Sequence, residues 1–157
     1  MILAKVVVVG RGEAGKSTLI RALAADAMNL AVRGRTVAMD HGLLVRGADS
    51  LALVGLPGQP RFAPVREVLV SGARGALFVH PAGEPYDPAT VALLGSQDLR
   101  SVPYLVFVNR RGGGPSGALP ETPPGLRPPK AILFGNLAQP GPVLRDLYDA
   151  TWRLLGL

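Results

Sequence analysis

Hydrophobic residues along this chain fall into two patterns, which predict alternating strands and helices. Short, almost unbroken apolar runs predict buried strands at residues 2–9, 75–80, 104–109 and 130–135. Longer segments carry apolar residues every three or four positions and predict helices at residues 16–27, 65–71, 88–99 and 142–157. In the last helix the positions predicted to face inward are Val143, Leu147, Thr151, Leu154 and Leu155.

Two further apolar segments predict an antiparallel hairpin, with strands at residues 37–46 and 50–55 and a turn at Gly47-Ala48-Asp49. Residues 112–129 are rich in glycine and proline and predict a loop in place of a helix. Together these elements predict an α/β fold: a mostly parallel sheet with one antiparallel hairpin strand and helices on both faces. The length of 157 residues predicts one domain, residues 1–157.

Composition narrows the possible chemistry. The chain has no cysteine, which excludes disulfides and thiolate metal sites. Its two histidines, His41 and His80, are not at ligand spacing, so a transition-metal site is not expected. At His80, on a strand end, a structural role is favoured over a catalytic one. The formal net charge is +6, but 14 of the 17 basic residues are arginines scattered along the chain with few aromatic residues between them. We therefore expect no nucleic-acid partner.

Membrane attachment is also not expected. No apolar run approaches the roughly 18 residues of a membrane-spanning helix. The N-terminal residues lack the pattern of a secretory signal, and the chain shows neither the myristoylation nor the prenylation motif. The sequence therefore predicts a cytoplasmic protein without a membrane anchor.

The segment Gly10-Arg-Gly-Glu-Ala-Gly15-Lys16-Ser17 matches the phosphate-binding motif G-x-x-x-x-G-K-[ST] and lies between a predicted strand and a predicted helix. Its glycines let backbone N–H groups turn inward around a phosphate, beside the positive end of the helix. Lys16 would reach the β- and γ-phosphates, and the Ser17 hydroxyl would ligate Mg²⁺. A glycine-rich turn with Ser17 as a helix cap is the alternative, but it does not explain Lys16. The candidate nucleotide contacts here are Gly10, Gly12, Glu13, Ala14, Gly15, Lys16, Ser17 and Thr18.

Three later segments follow in an order that resembles the Ras-like small GTPase superfamily, over residues 10–112. Thr36 ends a polar segment, predicted to be flexible, just before a strand, and Gly55-Leu-Pro-Gly58-Gln59 resembles the D-x-x-G-Q motif. Asn109-Arg110-Arg111-Gly112 stands where such proteins carry N-K-x-D. The resemblance implies a three-layer P-loop NTPase fold, with Thr36 on Mg²⁺, the Gly58 N–H on the γ-phosphate and Gln59 orienting the attacking water.

A narrower resemblance is to the prokaryotic small GTPases of the gliding-motility (Mgl) type, through Arg35-Thr-Val-Ala-Met-Asp40 and the Gly55–Gln59 segment. It implies that Asp40 serves the Mg²⁺ site in place of the missing switch II aspartate, and that Arg35 is an intrinsic arginine finger. An exposed strand carboxylate and a solvated arginine remain the respective alternatives. The resemblance also implies a roadblock-domain (longin-like) regulatory partner.

The base half of the site departs from the family pattern. Gly112 replaces the aspartate that accepts hydrogen bonds from guanine, and Arg110 replaces the lysine whose stem stacks on the base. Phe134-Gly135-Asn136 stands in place of the S-A-x loop, where a backbone N–H near Asn136 would serve the guanine oxygen. We therefore expect weakened selection of guanine by Asn109, Arg110 and Asn136.

Three functions remain open. The favoured one is a GTP/GDP-dependent regulatory switch with Mg²⁺ and slow, partner-stimulated hydrolysis, monomeric when alone. The second is a nucleotide-binding adaptor without hydrolysis. The third is a metabolic kinase, which the lack of a basic, lid-like insertion disfavours.

Overall fold

The computed structural model describes residues 1–12, 14–24, 28–32, 35–56, 68–110, 121–139 and 141–157; within 28–32 and 35–40 the description is of the backbone. The strands and helices found there, in chain order, are β1 (Ile2–Val9), α1 (Lys16–Leu23), β2 (Met28–Val32), β3 (Arg35–Arg46), β4 (Asp49–Gly55), β5 (Gly75–Pro81), α2 (Pro88–Leu94), β6 (Tyr104–Asn109), β7 (Ile132–Gly135) and α3 (Val143–Leu154). Residues 68–70 add a short helical turn.

The described strands form one mixed sheet in the order β2-β3-β4-β1-β5-β6-β7. Parallel ladders join β1 to β4 and β5, β5 to β6, and β6 to β7. Antiparallel ladders join β3 to β4 and to β2. The predicted fold class is therefore confirmed, including the hairpin of β3 and β4. The unpredicted strand is β2, which lies in the segment before Thr36 that the sequence predicts to be polar and flexible.

Helices cover both faces of the sheet because its central strands are apolar on both sides. Val6 to Val9 of β1 are at most 1% exposed. On one face, α1 and α3 supply Leu19, Ile20 and Leu147 to a core shared with the sheet. On the other face, Leu94 of α2 and Val70 pack against Val7 and Val9. A parallel sheet buried in this way needs near-continuous hydrophobic strands, which is what the sequence supplies.

Helix ends differ from their predicted positions. The chain leaves the helix at Ala24, whose ψ is 137°, so α1 ends at Leu23 and not at residue 27. Similarly, α2 ends at Leu94 before Gly95, and not at residue 99. The last helix spans 143–154 and not 142–157, because Leu155, with ψ of 3°, leaves helical geometry. Of the predicted helix 65–71, residues 65–67 lie outside the described part of the chain.

Three other segments complete the comparison. The last strand begins at Ile132 and not at residue 130. Residues 121–129 of the predicted loop contain neither helix nor strand, and 112–120 lie outside the description. Trp152 was not predicted to face inward, yet it is 2% exposed, with the Arg46 guanidinium 3.9 Å above its ring. Across the described residues, the helices are too short or too polar to cross a bilayer.

Candidate functional site: the phosphate loop and its surroundings

The phosphate loop leaves the sheet at its centre. It follows β1, which lies between β4 and β5 in the sheet. Parallel strands end at the same edge, so β4, β5, β6 and β7 place their following segments beside this loop. In open α/β sheets, ligands bind at this edge, where the strand order diverges. The topology therefore places the phosphate loop at the edge of the sheet where α/β proteins usually bind their ligands.

Two glycines shape the loop because no side chain fits at their positions. Gly10 has φ of +149°, and a Cβ there would lie 2.5 Å from the carbonyl oxygen of Val79. Gly15 has φ of +111°, and a Cβ there would lie 2.8 Å from Nδ2 of Asn109. Both values of φ are ones that residues with a side chain rarely adopt. The loop can therefore approach β5 and β6 closely only with glycine at both ends.

Lys16 is drawn back over the loop. Its Nζ donates to the carbonyl oxygens of Gly10 at 2.6 Å and Arg11 at 3.0 Å. The residue is 9% exposed, and burial lowers the pKa of Lys16 to about 8, while the Asp87 carboxylate partly opposes this shift. The ammonium group of Lys16 therefore lies against the backbone at the start of the phosphate loop, where a phosphate would bind.

Ser17 and Thr18 are exposed on the first turn of α1. Gly15, not Ser17, is the N-cap residue, and the first turn contains no acidic residue. The interpretation of Ser17 as a helix cap is therefore wrong, since Ser17 is the second residue of the helix itself. The uncapped N-terminus of α1 instead offers backbone donors and positive potential to an anion.

Asn109 and its neighbours lie at the same edge of the sheet. Asn109 is 6% exposed, and its Nδ2 donates to the Ala14 carbonyl at 3.1 Å while its Oδ1 accepts from the Leu137 N–H at 3.2 Å. The N–H of Arg110 donates to the Gly135 carbonyl at 2.7 Å. The structure thus brings Asn109, Arg110 and the segment with Asn136 together beside the phosphate loop.

The connection after β7 forms a closed turn. The side-chain oxygen of Asn136 accepts from the Ala138 N–H at 2.9 Å, and the backbone carbonyl oxygen of Asn136 accepts from the Gln139 N–H at 3.0 Å. With Leu137 bonded to Asn109, the N–H groups of residues 137–139 all have acceptors. Nearby, the Arg110 guanidinium lies 5.7 Å from the centre of the Phe134 ring. Base recognition through a free N–H just after Asn136 is therefore restricted.

The switch residues are placed only through the backbone of β3. The ladder between β3 and β4 begins with His41 opposite Val54, and Asp40 is the β3 residue directly before this pair. Gly55 in turn pairs with Val8 of β1, one residue before the end of that strand. Thr36 pairs with Ala31 of β2 and lies four residues, or about 13 Å, farther along β3. Backbone register therefore places Asp40 next to the end of β4, and Thr36 and Arg35 farther along β3, beyond the residues that pair with β4.

Four predicted site positions, Glu13, Gly58, Gln59 and Gly112, lie outside the described residues. Conversely, the turn at 82–87 brings Glu84 and Asp87 to the loop, and neither residue belongs to the predicted site. Asp87 caps α2, accepting from the N–H of Thr90 at 3.2 Å and from its hydroxyl at 2.7 Å. An aspartate directly before Pro88 is a recognised helix-start pattern and could have been found. Glu84 pairs with Arg11, a contact that no local pattern predicts.

Comparison with known families agrees with this geometry. The family described as 50S ribosome-binding GTPase matches residues 5–110, which is more than half of the chain. This chain belongs to that family of P-loop GTPases. The match runs from β1 through the phosphate loop to Arg110, so it includes both the loop and Asn109.

Similar proteins extend this assignment. An uncharacterized protein of Methanocaldococcus jannaschii is 31% identical over 110 residues, covering 70% of this chain and 71% of that protein. The structure of a bacterial selenocysteine-specific elongation factor EF-Sec superposes with a TM-score of 0.74 at 16% identity, over 99% of this chain but only 29% of the factor. The chain therefore spans less than a third of that larger protein.

Two shorter structures match over nearly their whole length. The G domain of the FeoB iron transporter of T. maritima has a TM-score of 0.66 at 18% identity, with 96% of this chain and 98% of that one covered. The small GTPase Arl6 of Trypanosoma brucei, solved with the nucleotide analogue GppNp, has a TM-score of 0.66 at 18% identity, with 94% and 96% covered. At these identities the likeness establishes the fold of a G domain.

Proposed function

We propose that this chain is a GTP/GDP-dependent regulatory switch. The observation that carries the proposal is the phosphate loop, in which Lys16 is held by the carbonyls of Gly10 and Arg11 at the uncapped N-terminus of α1. A cation and the backbone donors of an uncapped helix N-terminus lie together there. That arrangement suits the β- and γ-phosphates of a nucleoside triphosphate.

The residues around the loop fit Mg²⁺, which prefers oxygen ligands and keeps several waters. Ser17 is exposed at the start of α1, and Asp40 directly precedes His41, which pairs with Val54 near the end of β4. Ser17 would ligate the ion, and the Asp40 carboxylate would hold its waters where Gly55 supplies no side chain. Thr36 would join the ligands once the start of β3 moves toward the loop. When bound, Mg²⁺ would neutralise charge on the phosphates.

We further propose that the chain is of the Mgl type and hydrolyses GTP slowly, with stimulation by a roadblock-domain protein. Support comes from the Thr36-Val-Ala-Met-Asp40 and Gly55-Leu-Pro-Gly58-Gln59 segments. Gln59 would orient the attacking water and Arg35 would stabilise charge in the transition state, since both interactions strengthen as the reaction proceeds. Because Arg35 is the first residue of β3, beyond the residues that pair with β4, a partner that brings it to the γ-phosphate would accelerate turnover.

A second candidate is an adaptor that binds nucleotide without hydrolysing it or selecting guanine strictly. Two observations favour it: Gly112 has no carboxylate for the base, and the N–H groups of residues 137–139 are already engaged.

Calorimetry of the purified chain with GDP, GTP, ADP and ATP, each with Mg²⁺, tests nucleotide binding. We expect GDP and GTP to bind to the wild type and to Lys130→Ala, a lysine control away from the loop, but not to Lys16→Ala. Binding by Lys16→Ala with wild-type affinity would refute the phosphate-loop assignment. Equal affinities for guanine and adenine nucleotides would support the adaptor.

Hydrolysis measured with the regulatory partner separates the two candidates. We expect Gln59→Leu and Arg35→Ala to slow hydrolysis while GTP remains bound, because both side chains act mainly on the transition state. Gln97→Leu, a substitution of an exposed glutamine after α2, provides the control. If neither Gln59→Leu nor Arg35→Ala changes the rate, the catalytic assignment fails.

A further inference from the structure

The phosphate loop is tied to the turn that follows β5. Nη2 of Arg11 contacts both carboxylate oxygens of Glu84, at 2.9 Å to Oε1 and 2.7 Å to Oε2. Arg11 is the second residue of the phosphate motif, and Glu84 lies 73 residues later. This ion pair therefore fastens the loop to a separate part of the fold.

Arg11 is also the residue on which the loop closes. Its carbonyl oxygen accepts from Nζ of Lys16 at 3.0 Å and from the N–H of Ala14 at 3.1 Å. Movement of Arg11 would thus displace both the ammonium that meets the phosphates and the turn of backbone around them. Arg11 is held through its side chain by Glu84 and through its carbonyl by Lys16 and Ala14.

The turn that carries Glu84 is anchored at three points. His80, 2% exposed, donates from Nε2 to the Glu84 carbonyl at 2.9 Å. The N–H of Ala82 donates to the Asn109 carbonyl at 3.0 Å. Asp87 at the far end caps α2. Because the turn is fixed in this way, the Glu84 carboxylate can set the position of the Arg11 side chain.

We propose that Glu84 is a positioning residue for nucleotide phosphates, acting through Arg11 on the loop that holds Lys16. The proposal rests on the nucleotide-binding function proposed above. The carboxylate orders the loop before the phosphates arrive, so less ordering is required on binding. The two side chains are 44% and 40% exposed, so water screens the pair and its effect is modest.

Calorimetry with GDP and Mg²⁺ tests the inference in Glu84→Gln, Arg11→Ala and the double variant. We expect each single change to weaken GDP binding about two- to fivefold and the double variant to be no weaker than either, because one interaction is lost in all three. Arg11→Lys should retain most of the affinity. The charge-reversed pair Arg11→Glu with Glu84→Arg should recover affinity relative to Arg11→Glu alone.

Glu121→Gln removes the same charge from an exposed position and should leave GDP binding unchanged. Tighter GDP binding by Glu84→Gln would show that the carboxylate competes with phosphate and would overturn the inference. Unchanged GDP binding by Glu84→Gln would overturn it too. So would a loss of affinity in the double variant equal to the sum of the two single losses. If the wild type binds no nucleotide, the proposed function fails, and hydrogen exchange of the Ala14 amide then decides the inference. Faster exchange in Glu84→Gln than in Glu121→Gln supports it, and equal exchange refutes it.

Discussion

The side-chain amide of Asn109 donates to the carbonyl oxygen of Ala14 across 3.1 Å, although 95 residues separate the two in the chain. The same side chain accepts from the N–H of Leu137 at 3.2 Å. Asn109 is 6% exposed, so water cannot easily replace either bond. One buried amide therefore joins the phosphate loop, the end of β6 and the connection after β7.

Asn109→Ala should destabilise the fold and weaken nucleotide binding together. The substitution leaves a buried carbonyl and a buried N–H without partners, and each unsatisfied group costs about 1–3 kcal/mol. We expect urea denaturation to show a free energy of unfolding lower by about 2 kcal/mol or more, with weaker GDP binding in calorimetry. Asn136→Ala, which removes an acceptor from a more exposed turn, should cost less. Equal losses in the two variants would contradict the bridging role of Asn109.

The sequence predicts the framework of this molecule because its determinants are local. Val6 to Val9 form an apolar run that indicates a buried strand, and the spacing from Gly10 to Ser17 indicates the loop. The positions missed depend on tertiary contacts. Trp152 is buried partly because Arg46, more than a hundred residues earlier, covers its ring. The Arg11 and Glu84 pair likewise exists only once β1 and β5 are adjacent.

Lys16 should make the stability of the nucleotide-free protein depend on pH above neutrality. Burial lowers the pKa of Lys16 from 10.5 to about 8, so between these values the unfolded chain binds more protons than the folded one. The free energy of unfolding therefore rises with pH across this window, by up to about 3 kcal/mol at roughly 1.4 kcal/mol per pH unit. Urea denaturation from pH 7 to 10.5 should show this rise in the wild type and a much smaller one in Lys16→Met, where Lys5 retains a pKa lowered by burial.

The same substitution separates stability from function. At pH 7 and without nucleotide, Lys16→Met should be more stable than the wild type, because it removes a buried charge whose two hydrogen bonds only partly offset its desolvation. It should nevertheless lose GDP binding. Lys130→Met should change neither property. A Lys16→Met protein that is less stable at every pH would show that the hydrogen bonds outweigh the burial of the charge.

Gly112→Asp should raise the preference for GDP over ADP. Glycine at this position cannot accept from the guanine N–H groups, whereas a carboxylate can, and hydrogen bonds to charged groups contribute about 1.5–3 kcal/mol. We expect the ratio of GDP to ADP affinities, measured by calorimetry, to increase about tenfold or more. Gly113→Asp, one residue along, is the matched control. A wild-type preference for GDP above about a thousandfold, roughly 4 kcal/mol, would mean that another group reads the base.

Asp40→Ala should weaken Mg²⁺-dependent nucleotide binding more than Asp49→Ala. Asp40 directly precedes the His41–Val54 pair, near Gly55, where the family pattern has an acidic residue and this chain has none. The backbone of Asp49 pairs with that of Arg46 at the turn end of the hairpin. Substituting a residue that holds the waters or ligands of a metal ion typically lowers the affinity of the protein for that ion by about 10–100-fold. When GDP binding is measured at increasing Mg²⁺ concentration, we expect the Mg²⁺ concentration that gives half-maximal binding to rise about tenfold for Asp40→Ala. For Asp49→Ala we expect it to stay unchanged. Asp40→Asn should be intermediate, because an amide oxygen still accepts from a bound water but carries no charge. If GDP binding by Asp40→Ala and by Asp49→Ala depends on Mg²⁺ in the same way, Asp40 is a strand carboxylate outside the metal site. The waters of the Mg²⁺ ion are then held by a residue other than Asp40.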